Sequence, residues 1–357
     1  MQVFRFKADA LGALGRRIFT AVGAPPDTAA VVAASLVDAN LAGHDSHGVL
    51  RIPQYVRQVH ERKIAPAARP RILMSRKATA LVSGEWGFGQ PAGCAAVEES
   101  VRLAREFGIG AVGLVRCNHL GRVGEYVEIA AIGGCAAMVW LGGLERHAVP
   151  HGGTRGALGT NPLAVGFPLE GEPPAVLDFA TTAAAAGKLM AARAAGKPVP
   201  PGWVVDAQGR PATDPQAFFE GGALLPFGGH KGYALAVMIE LLGQALTGAD
   251  EYGGSVGGSE ITRRSGALFC AIDTAAFRPA GGAAGSARRI VDRLRSNPPA
   301  PGVERVLIPG EPEARTRQAR SAGGVELPEE TWRALVETAE AAGLAQQELP
   351  QPAIVTR

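Results

Sequence analysis

The sequence predicts an α/β fold of the α+β kind, in which a helical unit built from both ends of the chain flanks a mixed, largely antiparallel sheet that is not a Rossmann unit. Three observations predict it. Apolar residues recur at helical spacing as far as Arg62 and again over 328–343. From about residue 77 strand-like runs alternate with helical ones, and the later strands are joined by loops too irregular for a doubly wound sheet. No strand is followed by Gly-x-Gly-x-x-Gly; the nearest approach, Gly87-Phe88-Gly89-Gln90-Pro91-Ala92-Gly93, has the wrong last spacing.

Taken in order, Leu11, Leu14, Ile18 and Phe19 form one apolar stripe. After the Ala24-Pro25-Pro26-Asp27 break, Ala29, Val32, Ala33, Leu36, Val37 and Leu41 form a second, with Asp27 as its N-cap. A third helix spans 52–62, because Pro53 is tolerated in a first turn and not in a helix interior. Residues 63–75 read as an extended, proline-marked exit. A strand at 78–83, a helix at 91–107, a strand at 109–115, a helix at 121–132 and a strand at 136–141 follow, with further strands at 163–167, 175–180, 266–272 and 303–308. The stretch 196–214 is rich in turn residues and precedes a strongly apolar helix at 230–246. Residues 328–343 place Trp332, Leu335, Val336 and Ala339 on one face, which is expected to pack back on the N-terminal helices. The expected division is therefore 1–75 with 312–357, and 76–311.

A chain of 357 residues with 46% hydrophobic and 19% charged residues can bury a large core and is not a disordered polymer. Its charge of +3, from 36 basic and 33 acidic residues, is too small to mark a nucleic-acid partner. The arginines between Arg288 and Arg320, interleaved with Asp292, Glu304, Glu311 and Glu313, read as solvated mixed-charge surface. Cys94, Cys117, Cys135 and Cys270 show no Cys-x-x-Cys pairing, which suits reduced thiols and a cytoplasmic location. The N-terminus has no signal-peptide pattern, and no apolar run reaches the roughly 18 to 20 residues of a membrane span.

Four places concentrate polar side chains among glycines or at strand ends. The first is His44-Asp45-Ser46-His47-Gly48 with Arg51 and Tyr55. An imidazole moves protons near neutral pH, an arginine fork grips a carboxylate through two hydrogen bonds, and Tyr55 adds a donor, so the group suits an oxo or hydroxy acid. In a continuous helix His47, Arg51 and Tyr55 share a face; if the helix starts at Ile52, His47 and Arg51 lie on the loop feeding it. The same residues also read as a turn capped by Ser46 with a surface arginine. His44 and His47 alone do not make a metal site, since a catalytic zinc needs a third protein ligand and no zincin pattern accompanies them.

Gly228-Gly229-His230-Lys231-Gly232 opens the apolar helix, where first-turn N–H groups and Lys231 suit a phosphate, although the P-loop spacing is absent. Asp178 ends the run 175–177 and reads either as a carboxylate that orients a histidine or contacts a cofactor, or as a turn cap. His119, in Cys117-Asn118-His119-Leu120-Gly121, follows a strand and reads as a second acid-base group, a cofactor contact or a structural histidine.

In their order along nearly the whole chain, 39–48, Asn118-His119-Leu120-Gly121-Arg122, Gly159-Thr160-Asn161-Pro162, Leu177-Asp178-Phe179-Ala180-Thr181, His230-Lys231-Gly232-Tyr233 and Pro309-Gly310-Glu311 resemble the malate/L-lactate dehydrogenase family. Its cofactor domain is unrelated to Rossmann folds, and it also includes ureidoglycolate, sulfolactate and diketogulonate enzymes and piperideine/pyrroline-2-carboxylate reductases. Residues 196–202 resemble the hydroxycarboxylate dehydrogenase B branch. The resemblance implies hydride exchange between NAD or NADP and C2 of a small 2-hydroxy or 2-oxo acid, in a homodimer. His47 is then the proton donor, supported by Asp178, with His119 as the alternative; Ser46, Arg51 and Tyr55 bind the substrate. Cofactor contacts are implied for His119, Thr160, Asp178, Phe179, Ala180, Thr181, His230, Lys231, Gly232, Gly310 and Glu311, with no metal. Where relatives often read Asp-Met-Ala-Thr-Ser, this chain has Asp178-Phe179-Ala180-Thr181-Thr182, and the B branch can lack an arginine at the position of Arg51. A cyclic-imine reductase is the alternative within enzymes. A catalytically silent nucleotide-binding protein is the alternative outside them, and the joint presence of His47, Arg51, Asp178 and Lys231 argues against it.

Overall fold

Strand β1 (Val3–Phe6) leads into α1 (Ala8–Ala21) and α2 (Pro26–Leu41) in the structure, a computed structural model that describes residues 2–252 and 257–355. Two 3-10 turns, Asp45–His47 and Val49–Arg51, then feed α3 (Ile52–His60). Leu11, Leu14, Ile18 and Phe19 are all buried, as their spacing requires. Asp27 is not the N-cap of α2: Pro25 takes that place with φ −55°, and the Asp27 carboxylate instead accepts both fork bonds of Arg69, at 2.7 and 2.9 Å. Pro53 lies in the first turn of α3, so the proline sets where that helix starts.

The central sheet is assembled from β2 (Arg71–Arg76), β3 (Thr79–Ser83), then β4 (Ile109–Val115) after α4 (Gly89–Phe107), and β5 (Cys135–Gly142) after α5 (Gly124–Ile132). It continues through β6 (Leu163–Phe167) and β7 (Ala175–Phe179). Beyond β7 come α6 (Ala186–Ala194), a small sheet of β8 (Val204–Val205), β9 (Pro211–Ala212) and, after α7 (Gln216–Phe219), β10 (Ala223–Leu224), and then α8 (His230–Glu240). A π-helical turn, Leu241–Ala245, extends α8 before β11 (Gly266–Asp273) enters the large sheet.

The seven-stranded order is β2-β3-β4-β11-β5-β6-β7, and among these only β3 and β4 pair in parallel, across the α4 crossover that a parallel pair needs. The sheet is thus mixed and largely antiparallel, as expected. One apolar cluster, with Val112, Leu114, Val139, Phe269 and Tyr126, joins it to α4 and α5. The chain then forms α9 (Gly282–Arg295), α10 (Glu311–Gly323), β12 (Val325–Pro328), α11 (Glu329–Ala341) and β13 (Ala353–Val355). β12 and β13 flank β1 in a three-stranded antiparallel sheet, and Val325, Leu327, Leu335 and Ala339 share a second apolar cluster with Phe19, Leu36, Ile52 and Tyr55. Each large side chain buried there contributes about 1.5–3 kcal/mol.

The strand expected at 303–308 is absent. Its backbone closes on itself instead: Val303 N–H donates to the Ala300 carbonyl and Ile308 N–H to the Glu311 carboxylate, beside prolines that remove ladder donors.

Candidate active site

Two residues past the end of α2, Gly43 takes a φ of +88°, the left-handed value that stops a helix. The chain then doubles over Asn40, which is buried: its Oδ1 accepts from Val49 N–H at 2.8 Å and its Nδ2 donates to Asp45 Oδ1 at 2.6 Å. A Cβ on Gly48 would lie 2.2 Å from that same Oδ1, so glycine is required by close approach. The helix at Ile52 therefore leaves His47 and Arg51 on its lead-in turns, the second of the two geometries considered from sequence. Ser46 Oγ lies 2.9 Å from His47 Nδ1, and the α6 residue Gly187 backs Ser46. Arg51 is braced by donating from Nε to the Ser46 carbonyl, 2.7 Å, and from Nη1 to Gln54 Oε1, 2.6 Å.

His119 arrives from the loop between β4 and α5. Asn118, buried beside it, pins that loop by donating to the carbonyls of Lys63, Trp86 and Gly87 while its Oδ1 accepts from Ser259 N–H and the Thr262 hydroxyl. The rings of His47 and His119 stack with centroids 5.4 Å apart at 21°. Tyr55 is fully buried, and its hydroxyl lies 2.7 Å from His119 Nδ1 and accepts from Gln90 Nε2 at 3.0 Å. Tyr55 thus serves His119 rather than presenting its hydroxyl to a substrate. Sequence reasoning gave no role to Gln90, Asn40 or Asn118: a lone amide carries no spacing signal, and only the fold shows what it holds.

The two imidazoles share an electrostatic fate. Burial, then the charges of Arg51, His44 and Arg122, push His47 down to about 3. Burial, His47 and Arg51 hold His119 well below the usual imidazole range. Both rings are neutral near pH 7 yet keep a partly accessible edge, and in this pair a proton on one ring opposes a proton on the other. Burial raises the Tyr55 phenol to about 12, so it remains a neutral hydrogen-bonding group.

Asp178 does not hydrogen-bond His47. Its carboxylate accepts from Gly124 N–H at 2.7 Å and sits within the field of His44 and Arg122, while burial raises its pKa. The expectation that Asp178 supports His47 is not met by a hydrogen bond: His47 Nδ1 meets Ser46, and Asp178 lies in the field of His44, Arg122 and Glu128.

The remaining predicted contacts divide by role. Thr181 donates from N and Oγ1 to the Thr160 carbonyl, at 2.8 and 3.0 Å, and its own carbonyl accepts from Phe227 N–H, so the turn before α8 is tied to the end of β7. The Phe179 ring meets Phe227 edge-on at 5.4 Å, with Ala180 partly exposed next to it. Gly228 and Gly229 take φ of +57° and +61° and leave His230 and Lys231 exposed at the N-terminus of α8, with the His151 ring 6.0 Å from that of His230. Gly232 is a packing glycine: a Cβ there would lie 2.1 Å from the Phe227 carbonyl oxygen. Gly310 sits against β7 with φ +93°, and Glu311 accepts from Ile308 N–H and pairs with Arg295 at 3.0 Å, so its carboxylate is engaged within the protein. Among the described residues no group of three or more His, Cys, Asp or Glu is arranged around a metal, and no helix is long and apolar enough to cross a membrane.

A family model described as malate/L-lactate dehydrogenase matches residues 6–336. The chain is 33% identical over 353 residues to hydroxycarboxylate dehydrogenase B of Escherichia coli O157:H7, covering 97% of this chain and 96% of the relative. It is 36% identical over 338 residues to a Delta(1)-pyrroline-2-carboxylate/Delta(1)-piperideine-2-carboxylate reductase of Pseudomonas putida, covering 94% and 97%. The solved structure of sulfolactate dehydrogenase from Methanocaldococcus jannaschii superposes with a TM-score of 0.87 at 33% identity, over 98% of this chain and 99% of that one. Sequence and fold agree over nearly the full length, and the chain belongs to the malate/L-lactate dehydrogenase family.

Proposed function

We propose that the protein is a nicotinamide-dependent oxidoreductase that interconverts a small 2-hydroxy acid and the corresponding 2-oxo acid, with His47 moving the proton. The stacked, neutral His47–His119 pair beside Arg51 carries this reading. Arg51 holds the substrate carboxylate: Nε and Nη1 are braced by the protein, and the described contacts leave Nη2 free for a ligand. The positive-φ glycines and exposed Lys231 at the start of α8, joined to the end of β7, suit the phosphates of NAD or NADP, with Thr160, Phe179, Ala180 and Thr181 along the connecting wall. The bound dinucleotide supplies or accepts the hydride at C2.

His47 acts at the C2 oxygen. A hydroxy acid gives its proton to the neutral ring, and a 2-oxo acid takes one from the protonated ring. An incoming carboxylate offsets the Arg51 charge that helps hold His47 neutral, so binding favours the protonated form. Ser46 Oγ can either donate to or accept from Nδ1, and so follows the change of charge. The Tyr55 hydroxyl, which accepts from Gln90, meets His119 Nδ1, and burial with His47 and Arg51 holds that ring well below the usual imidazole range, so we read His119 as the neutral ring that completes the pocket. His47→Gln should lower kcat by roughly 10²- to 10⁴-fold in a nicotinamide-absorbance assay with 2-oxo acids, and an undiminished rate refutes the assignment.

The second reading, a cyclic-imine reductase, is favoured by the Pseudomonas putida relative and by the low proton affinity of His47, because a protonated imine needs no acid from the protein. Turnover of pyrroline- or piperideine-2-carboxylate without turnover of any 2-oxo acid selects it. Met238, Leu241 and Leu246, all about half exposed or more on α8, its π-helical extension and the turn that follows, support assembly with a second copy, which light scattering tests. The four cysteines are free thiols, which supports a reducing, cytoplasmic setting.

A further inference from the structure

Glu313, Arg317 and Arg320 lie four and three residues apart and share one face of α10. All three reach the run that leads into His47. Glu313 Oε1 lies 3.5 Å from His44 Nε2, and Arg317 Nη2 donates to both oxygens of Asp38 at 2.8 Å. Arg320 donates from Nη1 and Nη2 to the two oxygens of Asp45, at 2.6 and 3.0 Å, and also to the Asn40 carbonyl. Asn40 Nδ2 grips Asp45 from the other side. The helix is rooted next to Asp178, since Val176 N–H of β7 donates to the Pro309 carbonyl just before α10 begins.

The Asp45–His47 turn contributes no fully buried side chain, so apolar packing does not hold it in place. The Arg320 and Asp45 side chains are 26% and 46% exposed, and a pair that open to water adds little stability. What a two-point arginine–carboxylate contact adds here is direction. We propose that Arg320 is a positioning residue for His47: by fixing Asp45 it holds the turn so that the His47 ring faces His119 and Arg51. α10, from the far end of the chain, is then the back wall of the site.

The catalytic consequence rests on His47 as the proton carrier, but the placement can be tested without it. In the full-length protein labelled with ¹³C-histidine, the His47 ring signal is identified by its loss in His47→Gln. His119, Arg51, His44 and Arg122 are the groups facing that ring, and burial with the neighbouring Arg51 and Arg122 charges holds it down to about 3, so the wild-type signal should not titrate above about pH 5. Releasing the turn lets water reach the ring, and its midpoint should rise toward about 6.5 in both Arg320→Ala and Asp45→Asn, with Arg320→Lys intermediate. Charge alone predicts opposite shifts, because one change removes a cation and the other an anion. Midpoints that move in opposite directions, or not at all, overturn the proposal. If Arg320→Ala loses its near-ultraviolet circular dichroism, the nearly isosteric Asp45→Asn decides. In turnover, kcat should fall roughly 10- to 100-fold in Arg320→Ala, with partial recovery in Arg320→Lys. Adding His47→Gln to Arg320→Ala should make it no slower than His47→Gln alone. If His47→Gln retains the full rate, the catalytic reading fails while the titration still decides the positioning.

Discussion

Replacing Arg51 by glutamine tests the carboxylate grip and the control of His47 in one experiment. The guanidinium is held by the Ser46 carbonyl and Gln54 Oε1, so it meets a ligand already oriented and loses little freedom on binding. Removing one side of a desolvated, hydrogen-bonded charge pair costs about 2–5 kcal/mol, and at about 1.4 kcal/mol per factor of ten the expected loss is roughly 30- to 4,000-fold in kcat/KM. Most of it should fall on KM for the acid. A second effect follows from the same charge. Arg51 is the largest contributor after burial to the low proton affinity of His47, so the variant should hold the His47 proton to higher pH and show its loss of reductase kcat displaced to higher pH. Steady-state nicotinamide absorbance with a panel of 2-oxo acids measures both, with and without added guanidinium ion, which should restore part of the lost affinity. An unchanged KM in a folded variant refutes Arg51 as the carboxylate site. A raised KM with an unchanged pH profile refutes its hold on His47.

Because reduction needs the protonated ring and free His47 is pushed down to about 3, kcat/KM for a 2-oxo acid should fall about tenfold per unit between about pH 5 and 8, while the oxidation direction stays flat with respect to this group. A plateau in the reductive profile across that range contradicts the electrostatics. Gly48→Ala should abolish turnover and lower Tm, since the added methyl meets Asn40 Oδ1 at 2.2 Å and the turn carrying His47 has to move; a variant with native kcat and Tm contradicts the close approach. Glu125, half-buried in the first turn of α5 with its carboxyl bonded to Ser35, is raised by the burial of that carboxyl from 4.5 to about 7. The native state therefore binds more protons than the unfolded chain between those values, and stability should fall as pH rises through that window. Glu125→Gln removes the effect, so its Tm advantage over wild type should widen from about pH 5 to about pH 8, and a constant gap in thermal melts counts against the buried carboxyl.

Local periodicity made α1 to α5, α8, α11 and six strands of the large sheet legible, because a buried face repeats every three or four residues in α1 and α2 and every second residue in strands such as β5. Pro53 marked the start of α3 for the same local reason. Several of the elements that escaped lack such a face. β1, β12 and β13 are three or four residues each and gain their meaning only when the chain ends meet, and α10 buries no side chain fully. That helix shows the limit most clearly. Its arginines read as solvated surface, since in sequence a charge that faces water and one that faces a distant carboxylate look alike, yet Arg317 and Arg320 grip Asp38 and Asp45 more than 270 residues away. The site shows a related asymmetry. The residue types for acid-base chemistry and carboxylate binding were readable in the run from His44 to Tyr55, but their partners were not: Tyr55 turns to His119, Ser46 to His47, and Asp178 to Gly124. A side chain's chemistry belongs to its residue, whereas its hydrogen-bond partner belongs to the fold. Proton affinity depends on both, which is why the low affinity of His47 follows first from burial, beside His119 seventy-two residues on, and then from Arg51, four residues on.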